Sequence, residues 1–234
     1  MRPVLLLAAL ALLVTGCRNQ ADAGEELNYL RSDPNDYGSP LDTKDLFPLK
    51  QGARLEYGVM RSKGDPYREE ATVVSYNGTD AVIESRDKEK KTLLSREGYH
   101  IDAKGVWVSS VLLNDAPVQI NPPLPFLPLP IEEGKVTAWQ GTIGSGKSMV
   151  AGRAWTRVTR RQKMKITAGE FMAYRIDLRT ELSGNGQNSA LLASRWFVPG
   201  VGVIRTRSVD GRSTLVKELL TQKKMNSSAT GEVK

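Results

Sequence analysis

The stretch GTIGSGKS, Gly141 to Ser148, spells the phosphate-loop pattern of Gly, four residues, then Gly-Lys-Ser/Thr. In a nucleotide-binding protein such a loop joins a buried parallel strand to a helix whose first amides point at the phosphates. The flanks do not supply that setting. Upstream, KVTAW could serve as the strand. Downstream, MVAGRAWTRVTRR alternates apolar and polar residues and is rich in valine, threonine and tryptophan, a strand's composition. No later apolar run ends in the aspartate that would hold magnesium. We expect a glycine-rich hairpin loop, no nucleotide-binding residue and no nucleotide ligand.

Other chemistry is thinly provided for. His100 is the single histidine and Cys17 the single cysteine, so metal sites built on His or Cys are excluded by count. A Ser-His-acid arrangement would have to use His100, with Asp102 on the same strand face, yet no serine sits in an elbow-like setting. Glu69-Glu70 and Glu132-Glu133 are adjacent in sequence, so on strands each pair faces opposite sides. The expectation is no catalytic residue, no metal, no cofactor and no enzymatic activity.

One segment stands out by charge. From Gly134 to Gly169 there are eight bases and no acid. If the chain is extended there, Arg153, Arg157, Arg161, Lys163 and Lys165 share one face with Trp155, and a turn near Arg161-Gln162 would turn the stripe into a patch. This is a candidate surface for an anionic lipid or an acidic envelope polymer. The competing reading is a solvated face that keeps a sheet soluble, the commoner fate of a charge run. Compartment argues against nucleic acid.

The compartment is set by the first residues. MRPVLLLAALALLVTGC has a basic start and an apolar run of signal-peptide length, ending in Val14-Thr15-Gly16-Cys17. This resembles the lipobox of bacterial lipoproteins, which implies a signal peptide over 1–16 and acylation of Cys17, and hence a palmitate-type membrane anchor. A lone cysteine in an exported chain then has an explanation. With Arg18 after the cysteine, the resemblance favours the outer membrane, facing the periplasm. From Arg18 to Asp45 there are seven acids and three bases with few large apolar side chains, so residues 17–45 read as an extended, solvated tether. The folded domain is expected over 46–220, with a net charge near +8, and 221–234 as a disordered tail.

The elements that must position any site are short and alternating. RLEYGVM, EATVVSY, DAVIES, KTLLS, GYHI and GVWVSSVLL are strand-like, with Asn77-Gly78-Thr79-Asp80 as a hairpin signal and Arg96-Glu97-Gly98 read as a break. The second half repeats the habit, and Pro199-Gly200 suits the centre of a type II turn. The proline-rich NPPLPFLPLP, Asn121–Pro130, reads as a polyproline connector. The fold class is all-β: an antiparallel curved sheet, half-barrel or sandwich. The two halves also begin alike. Phe47-Pro48-Leu49, Gly52 and Tyr57 are matched by Leu127-Pro128-Leu129, Gly134 and Trp139, either as a true repeat or as coincidence among common turn residues.

Those landmarks resemble a loose group of uncharacterised bacterial envelope proteins, many of them lipoproteins. The group's domains open on an aromatic-Pro-Leu…Gly…aromatic strand. They carry a turn like Thr167-Ala168-Gly169-Glu170-Phe171, and end on a hairpin like Trp196-Phe197-Val198-Pro199-Gly200-Val201-Gly202-Val203-Ile204-Arg205. Here Leu55 and Thr167 stand where the group often has Trp and Pro. The resemblance implies a curved antiparallel sheet, of the half-barrel type used by lipoprotein-localisation factors, and no chemistry. We therefore expect a membrane-anchored envelope lipoprotein with a non-enzymatic binding or scaffolding domain, the alternative being a carrier of a lipid or acyl chain. A hollow sheet favours the carrier and a filled one the scaffold.

Overall fold

The computed structural model of the chain describes residues 47, 49–113, 116–146, 148–184, 187–210 and 213–223. The expected signal peptide, Cys17, the tether and residues 224–234 of the expected tail lie outside the described residues, as does Lys147, whereas residues 221–223 of that tail belong to the last strand and pair with Arg54, Leu55 and Glu56.

Among the described residues the chain is twelve antiparallel strands. They are β1 (Arg54–Arg61), β2 (Tyr67–Tyr76), β3 (Asp80–Asp87), β4 (Leu93–Asp102), β5 (Gly105–Leu113), β6 (Ala116–Pro128), β7 (Val136–Ser145), β8 (Ser148–Ile166), β9 (Gly169–Gly184), β10 (Gln187–Val198), β11 (Gly202–Val209) and β12 (Thr214–Lys223). Each strand pairs with its neighbours in sequence, and β1 pairs with β12 from Arg54↔Lys223 to Arg61↔Leu215. That last ladder closes the sheet. The half-barrel and sandwich expectations are corrected to a closed barrel, because pairing between the first and last strands leaves no mark in local alternation.

Two local readings are also corrected. Arg96-Glu97-Gly98 is no break: β4 runs through it, with Glu97 opposite Ile83 on β3 and Val111 on β5. The proline-rich connector is the second half of β6. It pairs with β5 through Trp107↔Pro125 and Val106↔Leu127, while on its other side β7 pairs only with Gln119, Ile120 and Asn121. A proline has no N–H to donate, so a run of them is tolerated where one edge is free of ladder bonds. Side chains bind the carbonyls left over. Trp139 Nε1 donates to Pro122 O at 2.8 Å, and the fully buried Thr156 Oγ1 donates to Pro125 O at 3.2 Å.

The resemblance between the halves is geometric. Gly52 and Gly134 have φ of 81° and 80°, the left-handed region in which glycine avoids a Cβ clash. Each N–H donates at 2.8 Å to a valine carbonyl one strand on, Val73 and Val158 respectively. Each valine's own N–H returns to the residue after the glycine, at 3.0 Å in both cases. A β-bulge follows both valines, before Ser75 in β2 and before Arg161 in β8. Tyr57 and Trp139 both point inward. Further on, Tyr99 and Phe197 each follow a bulge near the end of β4 and β10. The starts of β1 and β7, the bulged β2 and β8, and the ends of β4 and β10 thus share one local design.

Between the bulges, inside and outside alternate. On β2 and β3, Glu69, Ala71, Val73, Ile83 and Ser85 face inward. Glu70, Glu84 and Arg86 therefore face outward. There Glu84 lies between Arg86, at 2.9 Å, and Arg96 on β4. Arginine at the middle of a lipid-facing strand costs about 2–4 kcal/mol. An outer wall that exposes Arg86, Arg96, Arg153 and Arg157 suits water.

Candidate functional site

The barrel is filled on one side and hollow on the other. Trp139, Ile143, Ala154, Ile176, Leu178 and Leu182 from β7 to β9 pack with Val106, Val118, Ile120 and Leu127 from β5 and β6 into a continuous core. Between β1–β4 and β10–β12 an interior cavity of about 390 Å³ remains, within the range of roughly 300–1,000 Å³ that small-molecule sites occupy.

Its apolar wall comes from alternate residues of facing strands: Ala71, Val73, Ile83, Leu191, Ala193 and Leu215 among them. Its floor is aromatic. Phe47, just before β1, enters the barrel and stacks on Phe197 with ring centroids 5.9 Å apart. Phe126 meets both Phe47 and Tyr99 edge-on, at 5.7 and 5.3 Å.

Polar groups interrupt this wall at two places. The first is an ion pair between Lys217 Nζ on β12 and Glu69 Oε1 on β2, with Lys217 Nζ also 4.3 Å from the Tyr57 ring centroid. Burial opposes the charge on Lys217, but Glu69 and Tyr57 outweigh it and hold its pKa above the usual lysine value. Burial pushes the Tyr57 hydroxyl up to about 12, with Lys217 pulling the other way, and that hydroxyl donates to Val203 O at 2.9 Å.

The second place sits deeper. Tyr99 donates its hydroxyl to Glu97 Oε2, and burial followed by the charge of Glu97 raises the Tyr99 pKa well above normal. Across the cavity, the Arg195 guanidinium lies 4.4 Å from the Phe126 ring centroid. Burial lowers the Arg195 pKa, with Tyr99 and Glu97 opposing. Glu97 and Arg195 stand two residues before Tyr99 and Phe197, so they occupy equivalent places in the two halves. Sequence reading passed over both. The signal available was their position in the alternation, each in register with an inward aromatic two residues on.

The residues that had been singled out lie elsewhere. GTIGSGKS straddles the β7–β8 hairpin: Gly144 faces Met149 and Ser145 faces Ser148, with no helix following. Gly141 is there for space, since a Cβ would sit 2.4 Å from Asn121 O and 2.5 Å from the Trp139 ring. His100 is half-exposed on β4, its Nδ1 2.9 Å from Asp80 Oδ1. Asp102 instead accepts from Trp107 Nε1 and from the amides of Lys104 and Gly105.

The basic segment is β8 on the outer wall. Arg153, Trp155 and Arg157 are exposed. The bulge between Val158 and Arg161 breaks the register, so the six residues are not one stripe. Acids interleave with them: Arg153 faces Glu181 and Arg157 faces Asp177 on β9, and Lys163 pairs with Glu170 at 2.6 Å. Trp155 is 6.0 Å from the Arg179 guanidinium. Lys165 is exposed and faces Glu170 across the hairpin.

Among the described residues no group of three or more His, Cys, Asp or Glu could hold a metal ion. No family model matches the chain. No curated protein matches it either. Among the similar solved structures are three from bacteria. A protein from Bacteroides fragilis, described as exported and as having a YmcC-like fold, shares 12% identity at a TM-score of 0.51, over 76% of this chain and 99% of its own. A protein from Parabacteroides distasonis, described as a lipoprotein, shares 12% at 0.49, over 78% and 100%. The hypothetical lipoprotein YmcC of Escherichia coli shares 7% at 0.41, over 74% and 86%. At such identities the likeness is one of fold.

Proposed function

We propose that this chain is a lipid-anchored protein of the bacterial envelope whose barrel holds a largely apolar ligand, without enzymatic activity. The cavity carries the reading. A barrel whose purpose was scaffolding would gain stability by filling its interior, at about 25 cal/mol for each Å² of apolar surface buried. The β5–β9 side does that, whereas the other side leaves an apolar hollow with a few charged groups. This is the character of a ligand site and favours the carrier over the scaffold.

The envelope location rests on the lipobox-like Val14-Thr15-Gly16-Cys17, and the similar Bacteroides fragilis structure is of a protein described as exported. The water-facing outer wall fits a domain held beside a membrane by lipid at Cys17, not one threaded through it. The anionic-partner role of β8 loses ground to the solvated face, because acids on β9 already face its arginines.

The test is saturable binding of a neutral apolar dye, N-phenyl-1-naphthylamine, followed by fluorescence. One dye per chain is expected, and Ala193→Phe, which projects a ring into the cavity, should abolish it. Absence of binding, or binding that Ala193→Phe leaves untouched, would sink the reading.

A further inference from the structure

Among the described residues Arg195 is the charged side chain of the cavity left without a hydrogen-bond or ion-pair partner. Partly buried, it lies on the same face of β10 as Leu191 and Ala193 and lines the hollow. Among the described residues it has no hydrogen bond and no carboxylate within ion-pair distance, and its guanidinium sits over the face of Phe126. Enclosed charged groups are normally paired and their donors satisfied. The other three charged side chains of the interior conform: Lys217 and Glu69 hold each other, and Glu97 accepts from Tyr99. Arg195 does not, and a guanidinium stays protonated wherever proteins are folded.

The charge balance runs the same way. The groups bordering the cavity are Arg54, Arg61, Arg195 and Lys217 against Glu69 and Glu97. Arg54 and Arg61 have partners of their own, Glu70 at 3.5 Å and the Tyr67 hydroxyl at 3.0 Å. Glu69 balances Lys217 and Glu70 balances Arg54, which leaves Arg61 and Arg195 against Glu97: the hollow is net positive, and of these three only Arg195 lacks a hydrogen-bond partner among the described residues.

We infer that the ligand is an amphipathic anion, its carboxylate or phosphate oxygens taken by the Arg195 fork and its apolar body lying along Ala71, Val73, Leu191 and Leu215. This rests on the carrier reading and specifies it. The guanidinium presents its N–H groups in a plane that matches both headgroups with two parallel hydrogen bonds. A water molecule takes about 30 Å³ of liquid, so 390 Å³ accommodates roughly a dozen atoms of similar size, the scale of one medium-length acyl chain.

The experiment is calorimetric titration of the full chain, exported with Cys17→Ser, using dodecanoate, dodecyl phosphate and dodecanol. One or both anions should bind on the order of ten- to a hundredfold more tightly than the alcohol, the span of a charge-assisted hydrogen-bond pair. Arg195→Met should erase that preference while leaving dodecanol binding in place, and Arg195→Lys should keep part of it. Because Arg195 is unpartnered in the empty barrel, Arg195→Met should not lower the melting temperature of the ligand-free chain. Equal binding of anions and alcohol to the parent would overturn the role of Arg195 and leave the carrier reading standing. So would a melting temperature lowered in Arg195→Met with its anion preference intact. Failure of all three ligands, together with failure of the neutral dye, would overturn both.

Discussion

Phe47 and Phe197 stack with their ring planes 9° apart, although Phe47 belongs to no strand and Phe197 lies next to the end of β10. The segment ahead of β1 thus enters the barrel and supplies part of the cavity floor. Phe47→Ala should cost about 3 kcal/mol or more, the usual range for removing a core phenylalanine. It should also deepen the cavity, so longer acyl chains bind better relative to short ones. Urea unfolding and a chain-length series check both, and a near-neutral change in stability would show that the segment merely rests there.

Lys217 and Glu69 form the interior ion pair, and removing one partner strands the other. Lys217→Met should therefore destabilise by about 3–5 kcal/mol, whereas Lys217→Met with Glu69→Leu should recover most of the loss. A double-mutant cycle by denaturant unfolding measures the coupling. Additive losses would mean the pair is not coupled as its geometry requires.

Tyr57 links stability to alkaline pH. The folded chain holds its phenolic proton up to about 12, while an unfolded tyrosine ionises near 10. The contribution is therefore intact below about pH 10 and lost as pH climbs toward 12. The melting temperature should fall across that window, and in Tyr57→Phe it should fall less steeply. Identical slopes would contradict the assignment.

What could be read from the sequence was local. Alternation along Arg54–Met60 and Asp80–Ser85 placed strands to within a residue or two, because one face is apolar and the other charged. At Pro199-Gly200 the turn closes with Val201 N–H donating to Val198 O at 3.0 Å and Gly200 at φ 75°, as a type II turn demands. What escaped was long-range. The β1–β12 ladder joins residues more than 150 positions apart and has no local signature. Proline content misled at β6, since it reports missing donors and not which edge lies free. Arg195 escaped for a related reason: among the many arginines of this basic chain, only the closed barrel shows which ones line its hollow.

Cys17 carries the proposed anchoring. In fractionated cells the parent should sediment with membranes and Cys17→Ser should appear in the soluble fraction. A variant that stayed with the membrane would remove lipidation from the account.

The central claim, that the hollow between β1–β4 and β10–β12 holds an amphipathic ligand, is tested most directly by native mass spectrometry of the full chain exported with Cys17→Ser and purified from bacterial envelopes without detergent. The account predicts a co-purifying acyl-bearing anion at one per chain, reduced in Arg195→Met and absent from Ala193→Phe. A bare mass for the parent, unchanged after incubation with an envelope lipid extract, would contradict it.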